Sequence, residues 1–171
     1  MTVSDLAAPC GMILFAFTVI YAGITDLTTM KIRNGLVLVL LLGYGILAPL
    51  AGFSLPQIGW SAALSFGVLL AAFIFFAFGW IGGGDAKFAA ATVLWLGIDH
   101  SPVYLVYTAL LGGLFTLLLL QFRTRALPAF LNGSTWLVRL HSPTSGVPYG
   151  VAMALAALVV FPQTHWMTPL F

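Results

Sequence analysis

Residues 58–87 read IGWSAALSFGVLLAAFIFFAFGWIGGGDAK. From Ile58 to Ile81 no side chain is charged. A helix over that run would be roughly 36 Å long, more than the roughly 30 Å of a bilayer's hydrocarbon core. Three glycines, Gly82-Gly83-Gly84, then stop the run, and Asp85 and Lys87 follow at once. The rest of the chain has the same character. It has 171 residues, 61% hydrophobic and 6% charged, with a mean hydropathy of +1.10. A soluble domain carries roughly 25% charged residues, so the solvent for most of this chain must be lipid. Disorder needs low hydrophobicity and high net charge, and neither is present.

Read outward from this stretch, the chain divides into six apolar segments, roughly 8–25, 35–52, 58–81, 86–98, 102–121 and 147–162. The expected fold is all-α, a polytopic membrane protein of about six transmembrane helices. It forms one membrane-embedded domain over 1–171 with no separate soluble domain. The fourth segment is short and must tilt, begin inside the protein or sit where the bilayer is thin. The first segment is preceded by MTVSDLAAPC, which holds Asp5 and no basic residue. A secretory signal has a positive start, so a retained span is expected. Lys31 and Arg33 fall between segments one and two, Lys87 between three and four, and Arg123, Arg125 and Arg139 between five and six. Six crossings put all of these on one side, which the positive-inside rule makes cytoplasmic. Both termini are then expected outside the cytoplasm.

The connection over 122–146 carries those three arginines with Leu127, Phe130, Leu131, Trp136, Leu137 and Leu140. It reads either as an amphipathic segment on an anionic leaflet or as a plain basic loop. In the last segment Gly150 and Ala154, and Ala152 and Ala156, stand four apart, and such small pairs let helices approach closely. Ser61, Ser65 and Gly67 offer the same in the third. A net charge of +2 is too weak for a nucleic-acid footprint. A single cysteine, Cys10, excludes an internal disulfide and a Cys-based zinc module.

Few side chains can carry acid–base chemistry. The acids are Asp5, Asp26, Asp85 and Asp99, and the histidines are His100, His141 and His165. Asp5 is near the terminus, and Asp99-His100 reads as a short outer loop. No two histidines show helical metal-ligand spacing, so no metal site is expected. Asp26 and Asp85 differ, because each closes an apolar run at the cytoplasmic end of its segment. A carboxylate at the bilayer boundary is costly and marks a functional site by default. Both lie at one depth and can meet. Two adjoining carboxyl groups cannot both ionise cheaply, so they share a proton and titrate as a unit. The ionised one can act as base toward water. The protonated one can polarise a peptide carbonyl and later protonate the leaving amine. Which aspartate does which is left open. Gly82, Gly83 and Gly84 permit positive φ and close approach of a substrate backbone. The alternative is a helix-breaking turn with Asp85 as N-cap.

These residues resemble those of the type IV prepilin peptidases, a family of membrane-embedded aspartic proteases. The first motif is Asp26-Leu27-Thr28-Thr29-Met30-Lys31-Ile32-Arg33-Asn34. The family has Asp, five residues, then Ile-Pro-Asn, so Asp26, Ile32 and Asn34 match while Arg33 replaces the proline. The second is Gly82-Gly83-Gly84-Asp85-Ala86-Lys87, matching Gly-x-Gly-Asp followed by Lys. A third, Pro148-Tyr149-Gly150, opens the last segment, where the family has Pro, an aromatic residue and Gly. The resemblance implies removal of prepilin leader peptides after a Gly, at the cytoplasmic face of the bacterial inner membrane. Asp26 and Asp85 would be the catalytic pair. Gly82, Gly83, Gly84, Lys87, Ile32, Asn34, Pro148, Tyr149 and Gly150 would shape the site or bind substrate. No cofactor or metal is implied.

The implied partners are a prepilin with a basic leader and an apolar helix, membrane lipid and the pilus-assembly machinery. Longer members carry a four-cysteine metal insert between the first two spans and methylate the new N-terminus. Only residues 26–34 fill that place here, so the chain is similar to the compact CpaA/TadV-like branch serving Flp/Tad-type pili. Two other classes remain on sequence grounds. Intramembrane acids also mark ion- or proton-coupled transporters, although those place them near mid-depth on broken helices. A non-catalytic scaffold of a pilus or secretion complex is favoured only by Arg33.

Overall fold

The computed structural model describes residues 3–128 and 133–170. Phe130 and Leu131 and the side chain of Asp5 lie outside the described part. Helices α1 (Val3–Thr29), α2 (Asn34–Leu50), α3 (Leu55–Ala77), α4 (Gly83–Arg123), α5 (Thr135–His141) and α6 (Tyr149–Val160) make up the fold, followed by short 3₁₀ turns at Phe161–Gln163 and His165–Leu170. No strand occurs among the described residues. Three helices are long and apolar enough to cross a membrane: Leu6–Thr29, Leu55–Ala77 and Gly83–Arg123. This is an all-α membrane protein.

The α4 helix is not one rod. Gly97 has φ 74° and ψ 178°, a conformation essentially confined to glycine. Asp85 and Ala89 line one cavity with Leu105, Thr108 and Ala109. A straight helix would put residues 85 and 108 roughly 35 Å apart, so the chain reverses at Gly97 into two antiparallel arms, 83–96 and 98–123. The Ser101 hydroxyl bonds back across the turn to the carbonyls of Gly97 and of Val93. The sequence placed Asp99-His100 in a loop. Both are helical instead, because one glycine makes the whole reversal.

Helix ends follow local chemistry. Ser54 and Gln57 form a reciprocal capping box at the start of α3, with Pro56 in its first turn. At the other end Gly79 has φ 74°. Trp80 N–H donates to Phe75 O at 3.0 Å, and Gly79 N–H to Phe76 O at 2.9 Å. That Schellman pairing satisfies the last carbonyls and sends the chain sideways toward Gly82. Inside α1 the hydroxyls of Thr18, Thr25, Thr28 and Thr29 bond to carbonyls one turn back, which removes unpaired donors from apolar surroundings.

An aromatic core holds one end of the bundle. Trp95 and Trp166 stack at 4.7 Å, and Phe15 and Phe161 at 4.2 Å. Both indole N–H groups are satisfied, Trp95 by Leu40 O at 2.9 Å and Trp166 by Trp95 O at 3.1 Å. These bonds fix the first arm of α4 against α2 and the C-terminal turns. Along α1, Gly23 meets α6 so closely that a β-carbon there would lie 3.1 Å from the Ala154 methyl. Ser65 donates to Ala90 O at 2.7 Å and joins α3 to α4. Gly67, by contrast, is exposed, and a β-carbon there would meet no other side chain or helix within 4 Å. The α1–α2 and α3–α4 connections and the approach to α6 gather at the opposite end of the bundle, where Lys31, Arg33, Lys87, Arg123, Arg125 and Arg139 also lie.

A β-carbon at Gly97 would meet only Ser61 Oγ at 3.6 Å, so its cost is backbone strain. Gly97→Ala is expected to destabilise by about 1–3 kcal/mol. Gly67→Ala, in open space within a helix, should be neutral or stabilise by about 0.5–1 kcal/mol. Thermal unfolding of both variants in detergent micelles checks the contrast.

Candidate active site

At the basic end the three connections enclose a cavity of about 770 Å³. Asp26 and Asp85 both line it, together with Ile32, Gly82, Gly83, Gly84 and Tyr149 from the sequence motifs. Met30, Lys31, Trp80, Gly146 and Val147 complete much of the wall.

Asp26 sits in the last turn of α1 and is only 4% exposed. The C-terminal end of a helix is a poor place for a negative charge. Its compensation comes from the far end of the chain. Gly150 N–H donates to Asp26 Oδ2 at 2.7 Å. Gly150 is the second residue of α6, whose N-cap, Pro148, offers no side-chain acceptor. Asp26 therefore serves as the cap of α6, and the N-terminal end of that helix favours its carboxylate. The contact is so close that a β-carbon on Gly150 would lie 2.8 Å from Asp26 Oδ2 and 2.9 Å from its Cβ. Pro148 is buried beneath this turn.

Asp85 is the third residue of α4, and Gly82 rather than Asp85 is the N-cap. Its carboxyl turns back over Gly82, where a β-carbon would stand 2.9 Å from Oδ2. The expectation of positive φ in the triplet is not met. Left-handed glycines are Gly52, Gly79 and Gly97, because the turn is completed at Gly79, before the triplet begins. The triplet's role is close approach. A β-carbon on Gly84 would lie 3.4 Å from Ile32 Cβ and 3.5 Å from its carbonyl oxygen, and one on Gly83 3.3 Å from the Phe76 ring.

Ile32 thus rests on the first turn of α4, and Lys87 Nζ donates to Asn34 Oδ1 at 3.2 Å across the same junction. These two contacts clasp the Asp26 motif to the Asp85 motif. In the sequence Lys87 stands as a positive-inside charge and a motif residue, and Asn34 as a motif residue. Their pairing had no local signal, since the residues are 53 apart. Met30 closes α1 in a left-handed conformation, φ 56°, with its N–H on Asp26 O at 2.8 Å. Tyr149 packs on Gly112, where a β-carbon would lie 2.6 Å from its ring.

Arg123 was legible only as a positive-inside charge, yet it organises the approach to α6. Its Nε donates to Leu140 O and its Nη2 to Gly146 O, both at 2.9 Å. One guanidinium so holds the segment that carries Gly146 and Val147 into the cavity and Gly150 onto Asp26. The connection it ties contains α5, where Arg139 Nη1 donates to Thr28 O at 3.4 Å. Asp99, His100 and His165 line a separate cavity of about 190 Å³. Among the described residues no group of three His, Cys, Asp or Glu is placed to hold a metal.

Two acids from different helices thus line one cavity together with Gly82, Gly83 and Gly84. A comparison with known families shows that the type IV leader peptidase family matches residues 13–117. The chain belongs to that family. No curated protein and no solved structure matches it. As a type IV leader peptidase it is a membrane hydrolase whose substrate is a prepilin. The matched region contains Asp26 and Asp85 but ends before Arg123 and before the Gly150 amide that bonds Asp26.

Gly150→Ala should drive a methyl group into the Asp26 carboxyl and break its hydrogen bond. Leader cleavage is expected to fall about 10- to 100-fold, from the loss of a charge-assisted bond, with membrane insertion retained. Arg33 has φ −72° and ψ 135° as N-cap of α2, already the backbone of a proline. Arg33→Pro should leave cleavage intact and stabilise by about 0.4–1 kcal/mol. Complete loss of cleavage by that variant would contradict this account of the loop.

Proposed function

We propose that this peptidase is an aspartic endopeptidase using Asp26 and Asp85 to remove leaders from type IV prepilins of the Flp/Tad kind. It acts at the cytoplasmic face of the bacterial inner membrane, with six spans and both termini periplasmic. The single observation that carries the reading is the shared cavity. Asp26 and Asp85 reach it from two helix ends, and no charged side chain lies in the apolar runs beside them. A transporter reading would ask for acids near the middle of its helices. Asp26 is instead three residues from the end of α1, and Asp85 is in the first turn of α4.

The chemistry needs only the two carboxyl groups and water. One carboxylate takes a proton from water as its oxygen attacks the scissile carbonyl carbon. The other carboxyl group hydrogen-bonds the carbonyl oxygen as it gains negative charge. The C–N bond then breaks, the amine nitrogen takes up a proton, and the leader leaves as a carboxylic acid. Gly82 to Gly84 leave the cavity wall without side chains, so an extended substrate backbone can come within reach. Leader removal alone is proposed. Residues 30–33 are all that joins α1 to α2, and no methyl-transfer function is assigned.

The test is co-expression with a Flp-type prepilin, read by gel shift and mass spectrometry. Wild type should cut after the leader glycine. Asp26→Asn and Asp85→Asn each keep the side-chain size and remove the ionisable proton, and each should abolish cleavage while the protein stays in the membrane. An uncut prepilin with wild type, or cleavage by either variant, would sink the assignment. The mass of the new N-terminus reports any methyl group.

A further inference from the structure

A further, apolar cavity of about 410 Å³ opens between α3 and the two arms of α4, with Tyr149 and Met153 of α6 at its base. Its floor holds small side chains, Ala72 and Ala89, and its rim holds Ala71, Phe75, Leu105 and Ala109, which are exposed to the side of the bundle. It is continuous with the larger cavity, because Ile81, Asp85 and Tyr149 line both. The two differ sharply in chemistry. The larger mixes Asp26, Lys31 and glycine backbone with apolar Met30, Ile32, Trp80 and Val147, and lies at the basic end. The smaller is apolar except near Asp85, Thr108 and Tyr149. The α3 helix packs chiefly on α4, and among the described residues no further helix covers the groove. Small residues along a groove let another helix approach closely.

A chamber of mixed lining, which holds both acids and Lys31, and an almost wholly apolar groove therefore meet at Asp85. The geometry points to the groove as the docking site for the apolar helical segment that directly follows the scissile bond of the substrate. The polar part before that bond enters the larger cavity. This rests on the peptidase reading and adds where specificity resides. A helix in the groove enters from the side, out of the lipid, and its first turn ends at Asp85. The substrate is thus selected by a change of polarity at the bond itself. Any leader without a following apolar helix lacks half of the site.

Two measurements test this. The first fills the groove with Ala71→Phe or Ala109→Phe and compares cleavage of a full-length prepilin with that of a short soluble peptide spanning the same bond. The ratio of KM for the prepilin to KM for the peptide should rise about tenfold, the mark of lost ground-state binding. An unchanged ratio means that only lipid occupies the groove and overturns the proposal. The second does not depend on activity. In a Cys10→Ala, Asp85→Asn background, Ala71→Cys or Ala109→Cys is paired with cysteines scanned along the prepilin's apolar helix. Disulfides should form on one helical face and should be absent from Leu42→Cys, an exposed position on α2. Equal crosslinking from Leu42→Cys, or none from the groove, overturns the proposal. Wild type that cuts neither substrate would defeat the peptidase reading instead, and the crosslinks would still decide the groove.

Discussion

A carboxyl group surrounded by hydrocarbon-facing helices must find a donor, and in this protein the donor for Asp26 is a single backbone amide. Gly150 N–H reaches it at 2.7 Å. Much of the bundle follows from keeping that bond. Gly150 can carry no side chain. Gly23 must let α6 lie close along α1. Pro148, which cannot donate and offers no cap, leaves the first turn of α6 open to an acceptor from elsewhere. Arg123 then fixes the incoming segment by two carbonyls, so the amide does not depend on a loose loop. The bond is structural, because it caps a helix, and it also fixes the orientation of the carboxyl group that faces the cavity.

The second acid is held by a different logic. Asp85 is carried on a short helical arm that is anchored at its far end by Trp95 and returned by Gly97. The aromatic cluster resists tilting of that arm, while Ile32 on Gly84 and Asn34 on Lys87 tie its near end to the α1–α2 loop. Rigid elements place reactive groups more precisely than loops do. Both acids stand on helices, and the glycines between them remove bulk without supplying unusual backbone angles.

Much of this was legible in the chain. Charge-free runs of the required length give the helices, because a lipid-exposed backbone has no other way to satisfy its own polar groups. Asp26 and Asp85 stood out because they are the acids that close such runs at the basic end. What stayed hidden was of two kinds. Contacts between distant residues, such as Lys87 with Asn34 or Gly150 with Asp26, have no local pattern to reveal them. Backbone angles are also underdetermined in glycine clusters. The triplet drew attention, while the turns were made by Gly79 and Gly97, each isolated in its own run. The short α5 helix, Thr135–His141, follows from the apolar spacing of Trp136, Leu137 and Leu140, but its tether to α1 through Arg139 does not.

The bond between Asp26 and Gly150 joins residues 124 apart, and that separation orders events in time. A growing chain emerges from the ribosome at roughly 5–20 residues per second. Asp26 and Asp85 are both made well before the amide that orients the first of them. The bond between Asp26 and α6 therefore forms only after that helix has been made and has docked along α1.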